Sequence, residues 1–305
     1  MSDIFSAPER VGFVGLGNMG GPMALRLAQA GYQLLVFDAT ATAVARLTAQ
    51  AGCVAARELG ELGACRVVIT MLPDGGVVRE VLLGAGGIAP RLAAGAVVID
   101  MSSSSAVGTR ALAHELSARS ITLVDAPVSG GVRKAVDGTL AIMAGGDAAA
   151  VARCQPLLAV MGKVFLAGSS GSGHAMKSLN NYLSAANLVI AAEAVIAGER
   201  FGLDPKVMIS ILNASTGRNT ATDQKYPAYV LPRNFASGFS LGLMAKDLRL
   251  ALEVARSSGA PTELLDACAG IYARAESALG FRSDNTEVVR YLEGLAQPAD
   301  EPGHE

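Results

Sequence analysis

The sequence predicts an α/β protein in two parts: an N-terminal doubly wound parallel sheet, then an all-α domain joined to it through a long interdomain helix. Three observations carry this. Short β-branched runs alternate with Ala-rich helical stretches through the first half. Strand-like runs then disappear after Gly168. The chain's 305 residues also exceed what one core comfortably holds, so two domains are expected.

Taken in order, residues 10–15, 33–38, 66–71, 96–100 and 121–125 each read as a buried strand. Most are apolar at several successive positions, as a parallel sheet covered on both faces requires. Residues 19–30 and 106–119 have helix length, and strand–helix alternation of this kind marks a doubly wound sheet. Residues 139–144 and 163–166 extend it as two further strands. Residues 168–173, Gly-Ser-Ser-Gly-Ser-Gly, read as a linker. Residues 174–201 follow as one proline-free apolar-rich stretch, a helix of about seven turns. Gly202 ends it and Pro205 starts the next helix. Residues 205–213, 241–258, 263–278 and 286–295 complete a helical second half. The expected division is 1–170, 171–297 and a flexible tail at 298–305.

Composition removes other classes of protein. Hydrophobic residues make up 51% and charged residues 17%, which suits a globular enzyme and excludes a disordered chain. The longest apolar stretch, 184–198, is interrupted by Glu193 and falls short of the roughly 20 residues of a membrane span. The first residues lack a basic region leading into an apolar run, so a cytoplasmic protein is expected. Four scattered cysteines and three scattered histidines form neither a disulfide framework nor a metal spacing. A net charge of -2 without a Lys/Arg block argues against nucleic acid.

The strongest local signal is Gly15-Leu16-Gly17-Asn18-Met19-Gly20, between a predicted strand and a predicted helix. Gly15 permits the tight turn, Gly17 lets backbone approach a pyrophosphate, and Gly20 permits close helix–strand packing. The N–H groups at the helix start then favour phosphate. Alone the pattern is weak, because Gly-rich turns are common. Asp38 strengthens it by ending the second strand about 20 residues later, where a carboxylate accepts from a ribose 2′-hydroxyl. The first domain is therefore expected to be a Rossmann sheet. With no Arg directly after Asp38, NAD is expected over NADP. The plain alternative for Asp38 is a turn or cap residue. Ser102 to Ser105 follow a strand and either cap the next helix or contact the cofactor.

Two clusters point to the reacting centre. Asp125-Ala126-Pro127-Val128-Ser129-Gly130-Gly131 follows a strand and sets a hydroxyl beside two amides without side chains. Such a turn grips a carboxylate through Ser129, Gly130 and Gly131, or it is an ordinary Pro/Gly turn. In Gly173-His174-Ala175-Met176-Lys177-Ser178-Leu179-Asn180-Asn181, Lys177 and Asn181 stand four apart on one helix face, with His174 and Ser184 on that side. A lysine buried in an apolar helix costs free energy unless it is paired or functional, and burial lowers its pKa toward the range useful for proton exchange with an alcohol. The alternative is a lysine snorkelling from the helix start. His174 reads as structural rather than catalytic.

With these motifs the chain resembles, nearly end to end, the β-hydroxyacid dehydrogenase family, which includes 3-hydroxyisobutyrate dehydrogenase and tartronate semialdehyde reductase. Lys246-Asp247 is a further marker. The resemblance implies Lys177 as the catalytic lysine, Asn181 as orienting the substrate, and Ser129, Gly130 and Gly131 as binding its carboxylate. It also implies that Lys246 closes over cofactor and substrate with Asp247 helping to hold it, that Leu72, Pro73 and Ser103 contact the cofactor, and that the protein is a homodimer or homotetramer. The chain departs from the family in having Ala106 for Pro, Ser103 for Thr, and no aromatic in residues 215–220. There Asn219 and Thr220 point to a polar substrate tail, unless the loop faces solvent. The expected reaction is hydride transfer between a nicotinamide and a small 3-hydroxy acid or its semialdehyde. The rivals are an imine reductase, which replaces the lysine, and a silent dinucleotide-binding module.

Overall fold

The structure, a computed structural model, describes residues 4–50 and 52–295, so the tail expected at 298–305 lies outside the described residues. Six strands run parallel: β1 (Arg10–Val14), β2 (Gln33–Phe37), β3 (Cys53–Ala55), β4 (Val67–Thr70), β5 (Val97–Asp100) and β6 (Thr122–Asp125). Their order, β3-β2-β1-β4-β5-β6, reverses direction beside β1. Such a switch point opens a crevice at the strands' carboxyl ends. The sheet continues through β7 (Val128–Ser129), β8 (Leu140–Gly145) and β9 (Gly162–Gly168), with β8 antiparallel to β6 and β7 and parallel to β9.

The apolar runs still alternate by face. Val11, Phe13, Val67, Ile69, Val97 and Ile99 share one core layer with Met23 and Leu27 of helix α1 (Gly20–Gln29). Leu35, Val68 and Val98 join Leu82, Leu112 and Leu116 in the other. Each fully buried aliphatic side chain contributes about 1.5–3 kcal/mol, so both layers are needed.

The sequence reading missed the smaller elements: β3, β7, α2 (Ala41–Thr48), α3 (Gly75–Leu83), α5 (Gly131–Asp137) and α6 (Ala148–Ala159). Strand β3 is three residues long and largely exposed, so it carries no apolar pattern. Two glycines open α3, and Asp74 starts it by accepting from the Val77 amide. Pro156 sits inside α6, where a proline ordinarily signals a break. Helix α4 (Ala106–Ser117) completes this set.

The segment 168–173 is not a linker. Strand β9 reaches Gly168, and helix α7 (Ser172–Arg200) begins four residues later. A Cβ at Gly173 would lie 2.1 Å from the Met143 carbonyl, so only glycine lets α7 start this close to the sheet. Among the described residues α7 alone is long and apolar enough to cross a membrane, extending past the stretch 184–198 on both sides. Its Ala185, Leu188 and Ala192 are instead fully buried in the helical core.

That second core is formed with α8 (Pro205–Asn213), a π-helix (Ala221–Val230), α9 (Leu241–Ser257), α10 (Glu263–Leu279), a 3₁₀ turn (Asn285–Glu287) and α11 (Val288–Leu295). The π-helix, with Pro227 inside it, was not anticipated. The chain divides into two compact units, Met1–Lys177 and Ser178–Glu305, so the division falls inside α7.

Candidate functional site

The glycine loop has the shape a pyrophosphate needs. Gly15 holds φ +94°, and a Cβ there would sit 2.2 Å from the Met71 carbonyl. A Cβ at Gly20 would lie 1.9 Å from the Gly15 carbonyl, so α1 packs against the turn only as glycine. A Cβ at Gly17 would meet nothing within 4 Å, which leaves open space beside the backbone. Met19 caps α1 without a side-chain bond, leaving the helix start to an outside acceptor. Asn18 is exposed at the same turn. Asp38 ends β2 with Oδ2 accepting from the Leu16 amide at 2.6 Å and Oδ1 from the Thr40 amide at 2.7 Å. Its carboxylate is therefore fixed beside the loop, and each oxygen keeps a second lone pair. Arg46 is also close, its Nη2 3.4 Å from the Leu16 carbonyl.

The serine run divides its work. Ser105 caps α4, accepting from the Gly108 amide. Ser102 accepts from the Leu72 amide at 2.9 Å and so fixes the Leu72–Pro73 turn after β4. Ser104 donates to Asp100 Oδ2 at 2.8 Å, while Thr70 and the Ser102 amide bond Oδ1. Ser103 is half-buried between them. Capping thus belongs to Ser105, and Ser102 and Ser104 are structural.

At the end of β6 a second buried carboxylate ties down the start of α7. Asp125 accepts from the Gly171 amide at 2.8 Å and the His174 amide at 3.0 Å. His174 is 1% exposed, with Nδ1 2.8 Å from the Thr109 hydroxyl and Nε2 3.1 Å from the Ser102 carbonyl. Both ring nitrogens are engaged, so His174 is a structural pin. Lys177, one turn further along, is half-buried. Within the same unit β7 ends at Ser129, which is half-buried with no hydrogen-bond partner for its hydroxyl among the described residues. Gly130 and Gly131 follow at φ +135° and +69°, exposed and without side chains, beside that hydroxyl. A hydroxyl and two open amides of this kind suit a carboxylate.

In the helical unit Asn181 is buried and donates through Nδ2 to Asp247 Oδ2 at 2.5 Å. Asp247 is 1% exposed, and its Oδ1 lies 3.7 Å from the Lys246 ammonium. Of the two readings of the 215–220 loop, Thr220 follows the solvent-facing one, and Asn219 is engaged locally. Asn219 Oδ1 accepts from the Ala221 and Thr222 amides and its Nδ2 donates to the Gly217 carbonyl, so the side chain caps the π-helix. Thr220 is exposed.

Sequence reasoning missed Asp100 as an anchor, gave Asp125 no role beyond opening its turn, and passed over Lys225. A buried Asp ending a strand carries little signal by itself; only the topology shows that two adjacent strands present one each. Lys225 donates to Ser184 Oγ at 3.0 Å from within the π-helix, and burial pushes its ammonium down to about 8.

Comparison with known proteins gives two family matches. Residues 10–170 match the NAD binding domain of 6-phosphogluconate dehydrogenase. Residues 171–292 match the NAD-binding domain of NADP-dependent 3-hydroxyisobutyrate dehydrogenase. The chain is 36% identical to the 2-(hydroxymethyl)glutarate dehydrogenase of Eubacterium barkeri over 94% of its own length and 95% of the relative's. It is 38% identical to the NAD-dependent L-serine dehydrogenase of Pseudomonas aeruginosa, covering 93% of this chain and 97% of that one. The Mycobacterium tuberculosis 3-hydroxyisobutyrate dehydrogenase solved with L-serine superimposes with a TM-score of 0.87 at 33% identity, covering 93% of this chain and 99% of that chain.

Proposed function

This chain belongs to the β-hydroxyacid dehydrogenase family, and on that premise we propose that Lys177 is the general acid/base of its reaction. The protein is a nicotinamide-dependent oxidoreductase acting on the hydroxyl group of small hydroxy acids or on the matching semialdehydes. The imine-reducing alternative gives way, because the matched relatives are hydroxy-acid dehydrogenases and the lysine is present.

One observation carries the assignment. The first turn of α7 is pinned by Asp125 and His174 to the carboxyl edge of the sheet, in the unit that also carries the glycine loop and Ser129 to Gly131. Lys177 thus stands on a fixed turn instead of a mobile one. In oxidation Lys177 takes the hydroxyl proton; in reduction it returns it, and as a cation it stabilises developing alkoxide charge. Ser129, Gly130 and Gly131 hold the substrate carboxylate and so fix which carbon reacts. Asn181 orients the substrate, its amide set by Asp247. Gly15, Gly17, Asn18, Met19 and Gly20 cradle the pyrophosphate, and Leu72, Pro73, Ser103 and Lys246 contact the remaining cofactor. When bound, the nicotinamide supplies the hydride acceptor. Asp38 accepts from the adenosine ribose and repels a 2′-phosphate, which favours NAD over NADP. A homodimer or homotetramer is part of the same reading.

Lys177→Ala tests it. Turnover of short 3-hydroxy acids should fall by about 10³-fold or more while NADH binding, read by fluorescence titration, stays within about threefold. A variant that keeps its turnover, or a folded one that loses NADH, removes Lys177 from this role.

A further inference from the structure

The face of α7 that carries Asn181 continues to Ser184, three residues on and so on the same side of the helix. Ser184 holds a lysine that the reading above does not use. Lys225 Nζ donates to the Ser184 hydroxyl at 3.0 Å and to its carbonyl at 3.4 Å. Both partners are neutral. Among the described residues no carboxylate lies within ion-pair distance of this ammonium. Asp284 acts on it only through its field, and its oxygens are taken by Ser237, Gly238 and Thr286.

A half-buried cation without an anion is costly to keep, and an ammonium has three donors where two partners stand. Lys225 also sits in a π-helix, a form that recurs at functional sites, whose first amides are capped by Asn219.

We propose that Lys225 is a specificity residue that takes the distal carboxylate of a dianionic 3-hydroxy acid, on the same side of α7 as the substrate-orienting Asn181. This rests on the hydroxy-acid reading above. It replaces the Asn219–Thr220 loop as the group that meets the substrate tail, since Asn219 is committed to its cap. The ammonium remains mostly protonated at neutral pH, as an anion site requires.

The test compares the wild-type chain with Lys225→Met and Lys225→Arg on 2-(hydroxymethyl)glutarate, a diacid, and 3-hydroxyisobutyrate, a monoacid. Glutarate binding to the protein–NADH complex, followed by NADH fluorescence, gives a readout independent of turnover. Lys225→Met should raise KM for the diacid about tenfold or more and weaken glutarate to the same degree, because a charge-assisted bond is lost. Its kcat on the diacid and both constants on the monoacid should stay within about threefold, and Lys225→Arg should keep the preference. Equal losses on both substrates, or glutarate binding that ignores the substitution, overturn the assignment. No turnover of either acid by the wild-type chain, with NADH still bound, overturns the hydroxy-acid reading and this assignment with it.

Discussion

Lys225 shows how a single residue trades stability for a binding role. Burial holds its pKa at about 8, below the 10.5 of an unburied lysine. Between those values the unfolded chain keeps a proton that the folded chain has released, so the folded state gains stability as pH rises through that window. Below pH 8 the cost of the buried charge is fully present. Lys225→Met removes the charge and keeps most of the volume. At pH 7 it should therefore be more stable than wild type by roughly 1–2 kcal/mol, a figure reduced for the solvent that reaches the half-buried ammonium. That advantage should shrink as pH rises from 8 toward 10.5. Urea unfolding of both proteins at pH 7 and pH 9.5 measures the difference. An advantage equal at the two values means that the charge is not what the site pays for. The sequence could not reveal this lysine, because its burial comes from a π-helix that no periodicity announces.

At the scale of elements, the start of α7 decides whether Lys177 is placed. Its glycines were legible, but as a linker, since Gly and Ser in a row usually mean mobility. The structure reverses that meaning: Gly173 is there for close approach to β8, and Asp125 gathers the Gly171 and His174 amides. Replacing Asp125 with Ala leaves two buried donors without an acceptor, a cost of about 3 kcal/mol. Asp125→Ala should accordingly lose about that much unfolding free energy. Its kcat should also drop more than about tenfold, because the lysine turn is no longer fixed. NAD binding, which rests on α1 and the glycine loop, should change little. Stability and kcat both near wild type would show that α7 holds its register without this carboxylate. The five central strands were legible because a doubly covered sheet needs continuous apolar runs, whereas β3 and β7 were hidden by their brevity.

At the scale of the whole chain, helix α7 belongs to both units, with His174 in the hydrogen-bond network of the sheet unit and Ala185, Leu188 and Ala192 in the helical core. The glycine motif, the change from strands to helices and the family markers were readable because each is a local pattern. The buried carboxylates Asp100 and Asp125 were not, because they come side by side only through the order of the strands. Unfolding either unit removes contacts from the same helix, hydrogen bonds at its start or core packing further along, so the two units should unfold together in one calorimetric transition. NAD at about 100 times its Kd should then stabilise the native state by about 2.7 kcal/mol and move that transition as a whole. NADP at the same concentration should move it less, because Asp38 stands with both carboxylate oxygens fixed beside the glycine loop. In Asp38→Ala the gap between the two cofactors should close. NADP shifting the transition as far as NAD in the wild-type chain would instead point to Arg46, 3.4 Å from the Leu16 carbonyl, as a partner for the 2′-phosphate. Two separate transitions, only one of them moved by NAD, would show that α7 does not couple the cores and that the sheet unit binds its cofactor alone.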